Sequence, residues 1–329
     1  MTAAAIRAGI TRMSMHPYIV DRAGEPLRVA PIQYLDDLLS RTSRLVDIGG
    51  PALQEICDLL APLLSRRTPI GLYLGLPELR PGFTEADVAI TAKALGCIIK
   101  NAEVRSLPLG HCGGAMAIQK ACEDIVARRF ELCIAGGVDS YLHDKTLAWL
   151  DRNGQLQSSR RRSGMVPGEA AAFCLLCSPR VARALGLSPF IALSGMHTAI
   201  EHHGIKKQSV CLGEGLAAAI MASTHGVPVD AVYCDLNGER YRNEEWGMAS
   251  LRLSEVVVDP SRYVTPASLL GDVGAASGPL FAVLAHESLR RGYMRGGRVL
   301  GWTSAEAGHR TALVFERFIQ EGRHPGGRS

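Results

Sequence analysis

Leu109–Ser140 reads LGHCGGAMAIQKACEDIVARRFELCIAGGVDS, and its pattern decides the fold. It opens on Gly110-His111-Cys112-Gly113-Gly114. Ala115, Ile118, Ala121, Cys122, Ile125 and Val126 then recur at the spacing that puts them on one helix face. Leu132-Cys133-Ile134-Ala135 is a short apolar run closed by Gly136-Gly137, the pattern of a buried strand before a tight turn. A cysteine at a helix start meets free N–H groups and the positive end of the helix dipole, which favour a thiolate. Cys112 is therefore a candidate nucleophile. The competing reading is a small buried hydrophobe, the commonest role of a free cysteine.

The surrounding chain has 329 residues, 47% of them hydrophobic. That suffices for one large core or for two closely joined halves. The formal net charge of +4 is mild, and the positive charge is not gathered into a long block. Arg160-Arg161-Arg162 is too short to claim a nucleic-acid site, and reads as solvated surface or a contact for an acidic partner or a phosphate. The nine cysteines form no disulfide framework. Cys174-Leu175-Leu176-Cys177 has no second pair to complete a zinc site, and a strand would send its two thiols to opposite faces. The expectation is reduced thiols in the cytoplasm, with no metal and no cofactor. No signal peptide and no apolar stretch long enough for a membrane span is read.

Upstream, Ile6–Met13 reads as a first strand extended by Tyr18–Val20, with a turn over Asp21–Pro26. Pro51 suits the first turn of a helix carrying Leu53, Ile56, Cys57, Leu60 and Leu64. Ile70–Leu76 reads as a strand, and Thr84 as the cap of a helix running to Leu95. Downstream come strands at Ala171–Leu176 and Phe190–Met196, then a second run of the same rhythm. Its helices are read at Gly213–Ser223, Arg242–Leu253 and Ser277–Arg290, and its strands at Ala231–Leu236, Arg298–Thr303 and Thr311–Glu316. LLGDVGAASGP, from Leu269, leads into the Ser277 helix much as the Gly110 segment leads into its own. Two α/β halves with matching glycine-rich approaches to a buried helix suggest an internal duplication. The expected division is 1–190, carrying the nucleophile region, and 191–329.

Four segments in order carry a resemblance. GHCGGAMA…ELCIAGGVDS resembles the nucleophile region of the β-ketoacyl synthases, within the thiolase-like superfamily. SGMVPGEAAAFCLL resembles their GxVxGEGAG segment, with Glu169 on its glutamate. LLGDVGAASGP resembles GHxxGAAG, and SAEAGHRTALVFER the closing glycine-rich hairpin. The resemblance covers about Val104–Arg317 and implies a duplicated five-layer α-β-α-β-α fold, normally dimeric. It also implies a cysteine that carries an acyl thioester, and two histidines that help decarboxylate a malonyl thioester.

The chain departs from that pattern at the chemistry. Aligned without gaps from Ala135-Gly136-Gly137, the nucleophile position falls on His111; a gap within Ala127–Glu131 restores Cys112. The first histidine position falls on Asp235, or on Asn237 if Gly238 is matched; the second is Asp272. His309 lies in the closing hairpin. An ionised aspartate accepts hydrogen bonds and repels a developing enolate, which the histidines would stabilise. Both aspartates also suit turn and helix caps beside glycines.

Three readings follow. The first is an acyltransferase or thioester hydrolase using Cys112, with His111 or His309 and Asp235 or Asp272, and N–H groups at Gly113, Gly114 and Gly308 as an oxyanion site. Its substrates would arrive on acyl carrier protein or coenzyme A. The second is a non-catalytic homologue paired with a synthase as a partner or chain-length subunit, as a heterodimer where the first expects a homodimer. The third is a ligand-binding module that keeps the fold.

Overall fold

Tyr73 points to one core while its neighbours Leu72 and Leu74 point to another, and the architecture follows from that alternation. The computed structural model describes residues 2–35, 41–63, 68–204, 210–294 and 296–318. In chain order the first part holds α1 (Thr2–Arg7), β1 (Ser14–Val20), β2 (Pro26–Val29), α2 (Arg41–Leu60), β3 (Ile70–Gly75), α3 (Glu85–Gly96), β4 (Ala102–Leu107), α4 (Gly113–Val126), β5 (Leu132–Ser140), α5 (Asp144–Arg152), β6 (Glu169–Cys177) and α6 (Pro179–Ala184). The second holds β7 (Ile191–Ile200), α7 (Glu214–Thr224), β8 (Ala231–Cys234), α8 (Arg240–Ser250), β9 (Tyr263–Val264), α9 (Ala267–Leu270), α10 (Ser277–Arg290), β10 (Arg298–Ser304) and β11 (His309–Arg317).

One sheet runs β4-β3-β5-β6 and another β7-β11-β10-β8-β9. β3 is parallel to β4 and β5, and β5 is antiparallel to β6. The second sheet repeats this: β8 is parallel to β9 and β10, and β10 is antiparallel to β11. β7 adds an antiparallel edge on β11.

Both faces of each sheet are buried, so the strands read as apolar runs whose alternate residues serve different cores. Leu72, Leu74, Ile134 and Val138 pack under α2 and α3. Tyr73, Cys133 and Ala135 face the middle layer, where α4 and α10 also meet Val299, Leu313 and Phe315. Leu300, Trp302, Ala312 and Val314 face α7 and α8. The result is the five-layer α-β-α-β-α arrangement that the sequence resemblance implies.

The duplication is exact enough to match residue by residue around the middle helices. A 3-10 turn, Gly110–Cys112, precedes α4, and another, Gly274–Ala276, precedes α10. Gly110 and Gly274 both take positive φ, 54° and 48°, a region glycine enters at little cost. His111 is thus the counterpart of Ala275, and Cys112 that of Ala276. The turns and helices approach so closely that a Cβ on Gly114 would lie 2.2 Å from the Ala275 carbonyl oxygen.

Three local expectations are corrected. The Ile6–Met13 strand is the helix α1 followed by irregular chain, because the alanines at 3–5 favour helix. Pro51 lies inside α2 rather than in its first turn, since the helix already begins at Arg41. Helix α8 begins at Arg240 and ends at Ser250. Leu64 lies outside the described residues. Thr84 does precede α3, and the Asp87 carboxylate accepts from both its N–H and its hydroxyl.

Among the described residues, no helix is long and apolar enough to cross a membrane.

Candidate functional site

The two 3-10 turns bring His111 of one half against Asp272 of the other. His111 Nε2 lies 2.9 Å from both Asp272 carboxylate oxygens. Asp272 also accepts from the Gly274 N–H at 2.9 Å, so it caps the second turn as well as pairing with the histidine. Asn237 Nδ2 donates to Asp272 at 2.6 Å and to Glu239 at 3.0 Å. Arg242 completes the cluster. Its Nη2 sits 3.3 Å from each ring nitrogen of His111, and Nη1 reaches Asp235 at 3.2 Å and the Ser304 carbonyl at 2.8 Å. Asp235 in turn accepts from the Ser304 N–H. Both aspartates, Glu239, Arg242 and His111 are all buried.

Burial is the largest influence on His111 and opposes its charged form. Asp272 and Asp235 outweigh burial and Arg242 together, and the ring's pKa ends above its ordinary value. Burial pushes Asp272 the other way, but His111, Arg242 and Asn237 hold it below the usual carboxylate range. Asp235 ends raised, with burial winning over Arg242 and His111. The cluster is therefore a buried polar lattice in which Arg242 and a histidine biased toward its charged form sit among carboxyl groups, stitched across the halves.

Cys112 turns away from this lattice. Its thiol is fully buried, 3.1 Å from the His309 carbonyl and 3.4 Å from that of Thr303. Burial pushes the thiol up to about 11, so it is a hydrogen-bond donor at neutral pH rather than a nucleophilic thiolate. Its counterpart Ala276 is equally buried, which marks both as packing positions. His309 meets Cys112 through its carbonyl, and no hydrogen bond joins the imidazole to the thiol. The N–H of Gly308 is bound to Ala305 and that of Gly113 to Gly110, while Gly114 packs against Pro279. The Cys-His-Asp and oxyanion arrangements considered from the sequence are thus not assembled around Cys112. Glu169 sits apart, accepting from Arg44, Ser140 and the Ile32 N–H.

Two predictions arise here. Iodoacetamide at neutral pH labels exposed Cys97 and leaves Cys112 intact in the folded protein, as read by peptide mass mapping. Cys112→Ala, which copies its counterpart, folds with a stability loss of only about 1 kcal/mol in urea titration.

A cavity of about 560 Å³ opens beside the lattice, lined by Trp149, Gln155, Arg161, Glu239, Tyr241 and Glu306 among others. Its floor is polar and closed: Gln155 Nε2 donates to Glu239 and Glu306, and Tyr241 to Glu239. His111, Asp272 and Cys112 are not among its walls. The space lined by Asp235 and Asp272 is about 10 Å³, barely one water.

Glu201, Cys211 and Glu245 bring ligand-type atoms within 4.8 Å of one another. Glu201 already accepts from the Gly215 N–H, and Glu245 pairs with Arg310 at 2.5 Å, so the group reads as a hydrogen-bonded strut.

Sequence reasoning missed Arg242, the central cation. One signal for it exists: Arg242, Glu245, Trp246 and Ala249 occupy the helical positions of a core face, so α8 turns charges inward.

Residues 112–182 match the family described as β-ketoacyl synthase, N-terminal domain. A putative polyketide β-ketoacyl synthase of Streptomyces halstedii is 26% identical over 225 residues, 63% of this chain and 52% of that protein. The chain thus spans about half the length of that curated relative. Among solved structures, one of a type II polyketide acyl carrier protein in complex with its ketosynthase superposes with a TM-score of 0.78 at 13% identity, covering 96% of this chain and 94% of the other. The ketosynthase–chain length factor complex of Xenorhabdus doucetiae gives 0.74 at 15% identity, covering 96% and 93%. The ishigamide ketosynthase/chain length factor gives 0.74 at 17% identity, covering 97% and 94%.

Proposed function

We propose that this chain, which resembles the β-ketoacyl synthases of the thiolase-like superfamily, is a non-condensing homologue acting as a companion subunit in carrier-borne acyl or polyketide assembly. The observation that carries the reading is the lattice itself. Where the two halves meet, His111, Asp272, Arg242 and Asp235 fill the interior with paired charges. A condensing site needs an open nucleophile and donors aimed at a developing oxyanion. Here the donors are committed to carboxylates and to the Ser304 carbonyl, and the space beside the two aspartates holds about one water.

The likeness to structures described as a ketosynthase with its chain length factor supports the companion role over an autonomous enzyme. An acyl carrier or a condensing synthase is the partner that role implies. The Arg160–Arg162 cluster flanks the 560 Å³ cavity and offers positive charge to an acidic carrier.

The test is intact mass after incubation with acyl and malonyl thioesters on acyl carrier protein and on coenzyme A, with carbon dioxide release followed in parallel. The expected result is no covalent adduct and no decarboxylation. An acyl adduct that disappears in Cys112→Ala would overturn the reading and restore the acyltransferase.

A further inference from the structure

Gln155 uses only one branch of its side-chain amide. Its backbone is pinned just after α5: the N–H donates to the Leu150 carbonyl at 2.9 Å, and the carbonyl accepts from Met165 at 2.8 Å. The residue is 5% exposed. Its Nε2 stands between two carboxylates, Glu239 at 3.2 Å and Glu306 at 3.1 Å. That contact fixes which way the amide is turned, because only its nitrogen can donate to a carboxylate. The other branch, Oε1, is buried and has no donor among the described residues. A buried acceptor without a donor is costly, and native interiors hold few of them.

The two carboxylates come from separate elements. Glu239 precedes α8, and Glu306 lies in the turn between β10 and β11. Several groups bound to them are neutral. Asn237 and Tyr241 donate to Glu239 at 3.0 and 2.6 Å, and Tyr241 reaches Glu306 at 3.5 Å. Arg242 Nε is 3.5 Å from Glu239, but the same guanidinium also serves Asp235, the Ser304 carbonyl and the His111 ring. Two more arginines line the cavity. Arg240 is 2.6 Å from Glu244, and Arg161 donates to the Gly154 carbonyl.

Gln155, Glu239 and Glu306 all belong to the wall of the 560 Å³ cavity, and Trp149 adds an apolar surface to it. An ammonium carries three donors and no acceptor, which matches two carboxylates and an amide oxygen. It also brings the positive charge that Gln155, Asn237 and Tyr241 lack, and charge-assisted hydrogen bonds are the stronger kind. A Mg²⁺ or Ca²⁺ ion asks for at least about six oxygens. Here an amide nitrogen stands on both carboxylates instead.

We propose that this cavity binds a primary ammonium group on a short alkyl chain, held by Glu239, Glu306 and the Oε1 of Gln155. The ligand is a free alkylamine or an acyl chain that ends in an amino group. The second source would extend the companion role, and the first does not depend on it.

The experiment is isothermal titration calorimetry on the full chain with two matched pairs of probes. Pentylamine is set against 1-pentanol, and 5-aminopentanoyl-coenzyme A against hexanoyl-coenzyme A. The amine is expected to bind at least about tenfold tighter than its neutral match. A preference in both pairs identifies the free amine as sufficient, and one confined to the thioesters identifies the acyl chain. Glu306→Gln keeps the shape, removes one charge and is expected to erase the preference while leaving the neutral probes unchanged. Arg161→Ala alters the same cavity without touching the three acceptors, and is expected to keep it. Equal binding within both pairs would overturn the proposal. So would a preference that survives Glu306→Gln, one lost equally in Arg161→Ala, or Mg²⁺ or Ca²⁺ binding more tightly than either amine.

Discussion

Arg242→Ala lowers the unfolding free energy by about 3–5 kcal/mol, the range found when one partner of a buried ion pair is removed. The guanidinium is 1% exposed and touches three acids' surroundings at once. It lies 3.2 Å from Asp235 and 3.5 Å from Glu239, and it shares His111 with Asp272. Its loss leaves Asp235 holding only the Ser304 N–H and leaves the Ser304 carbonyl without this donor. Arg242→Lys should recover less than half, because one ammonium cannot span a carboxylate, a carbonyl and a ring in fixed directions. Urea unfolding with an unchanged m value is the measurement. A loss below about 1 kcal/mol would show that the lattice is not what joins the halves here.

The five layers were legible because both faces of each sheet are apolar and strands and helices keep their periods. Leu72-Tyr73-Leu74 and Leu300-Gly301-Trp302 carry that information locally. Ile6–Met13 misled because isolated apolar residues in a short segment carry no clear period, and the alanines before them decide. The lattice was hidden for a different reason. His111 and Asp272 are 161 residues apart, and Arg242 is 131 from His111. No local spacing announces that such charges will neutralise one another. The gapless alignment puts the nucleophile position on His111 and a one-residue gap puts it on Cys112; both residues lie in one 3-10 turn, where Cys112 is the counterpart of Ala276. Asp272 shows how a capping role and an ion-pair role coincide, since one carboxylate serves the Gly274 N–H and His111 together.

Wild-type stability falls as pH rises above the free imidazole value and through the raised folded pKa of His111, and Asp272→Asn reverses the sign of the His111 contribution. The folded pKa of His111 lies above its unfolded value of about 6.5. Its contribution is complete below that value and is lost as pH rises through the folded pKa. Asp272 has the opposite shift: its contribution is present above about 3.9, the unfolded value, and is lost only in strong acid as pH falls through the depressed folded pKa. Asp235 and Glu245, both raised by burial, lose stability in the same direction as the histidine. The difference between wild type and His111→Gln therefore isolates the imidazole. Neutralising Asp272 removes the larger of the two carboxylate influences that overcame burial and leaves the weaker Asp235 against burial and Arg242, which stays 3.3 Å from the ring. His111 then folds best uncharged, its folded pKa drops below 6.5, and its contribution grows as pH rises instead of fading. Urea titrations at about pH 5.5 and about pH 9, on either side of the free imidazole value, read the sign directly. Parallel curves for wild type, His111→Gln and Asp272→Asn would mean that His111 is neutral at every pH, and that Asp272 answers only to Arg242, Asn237 and the Gly274 N–H.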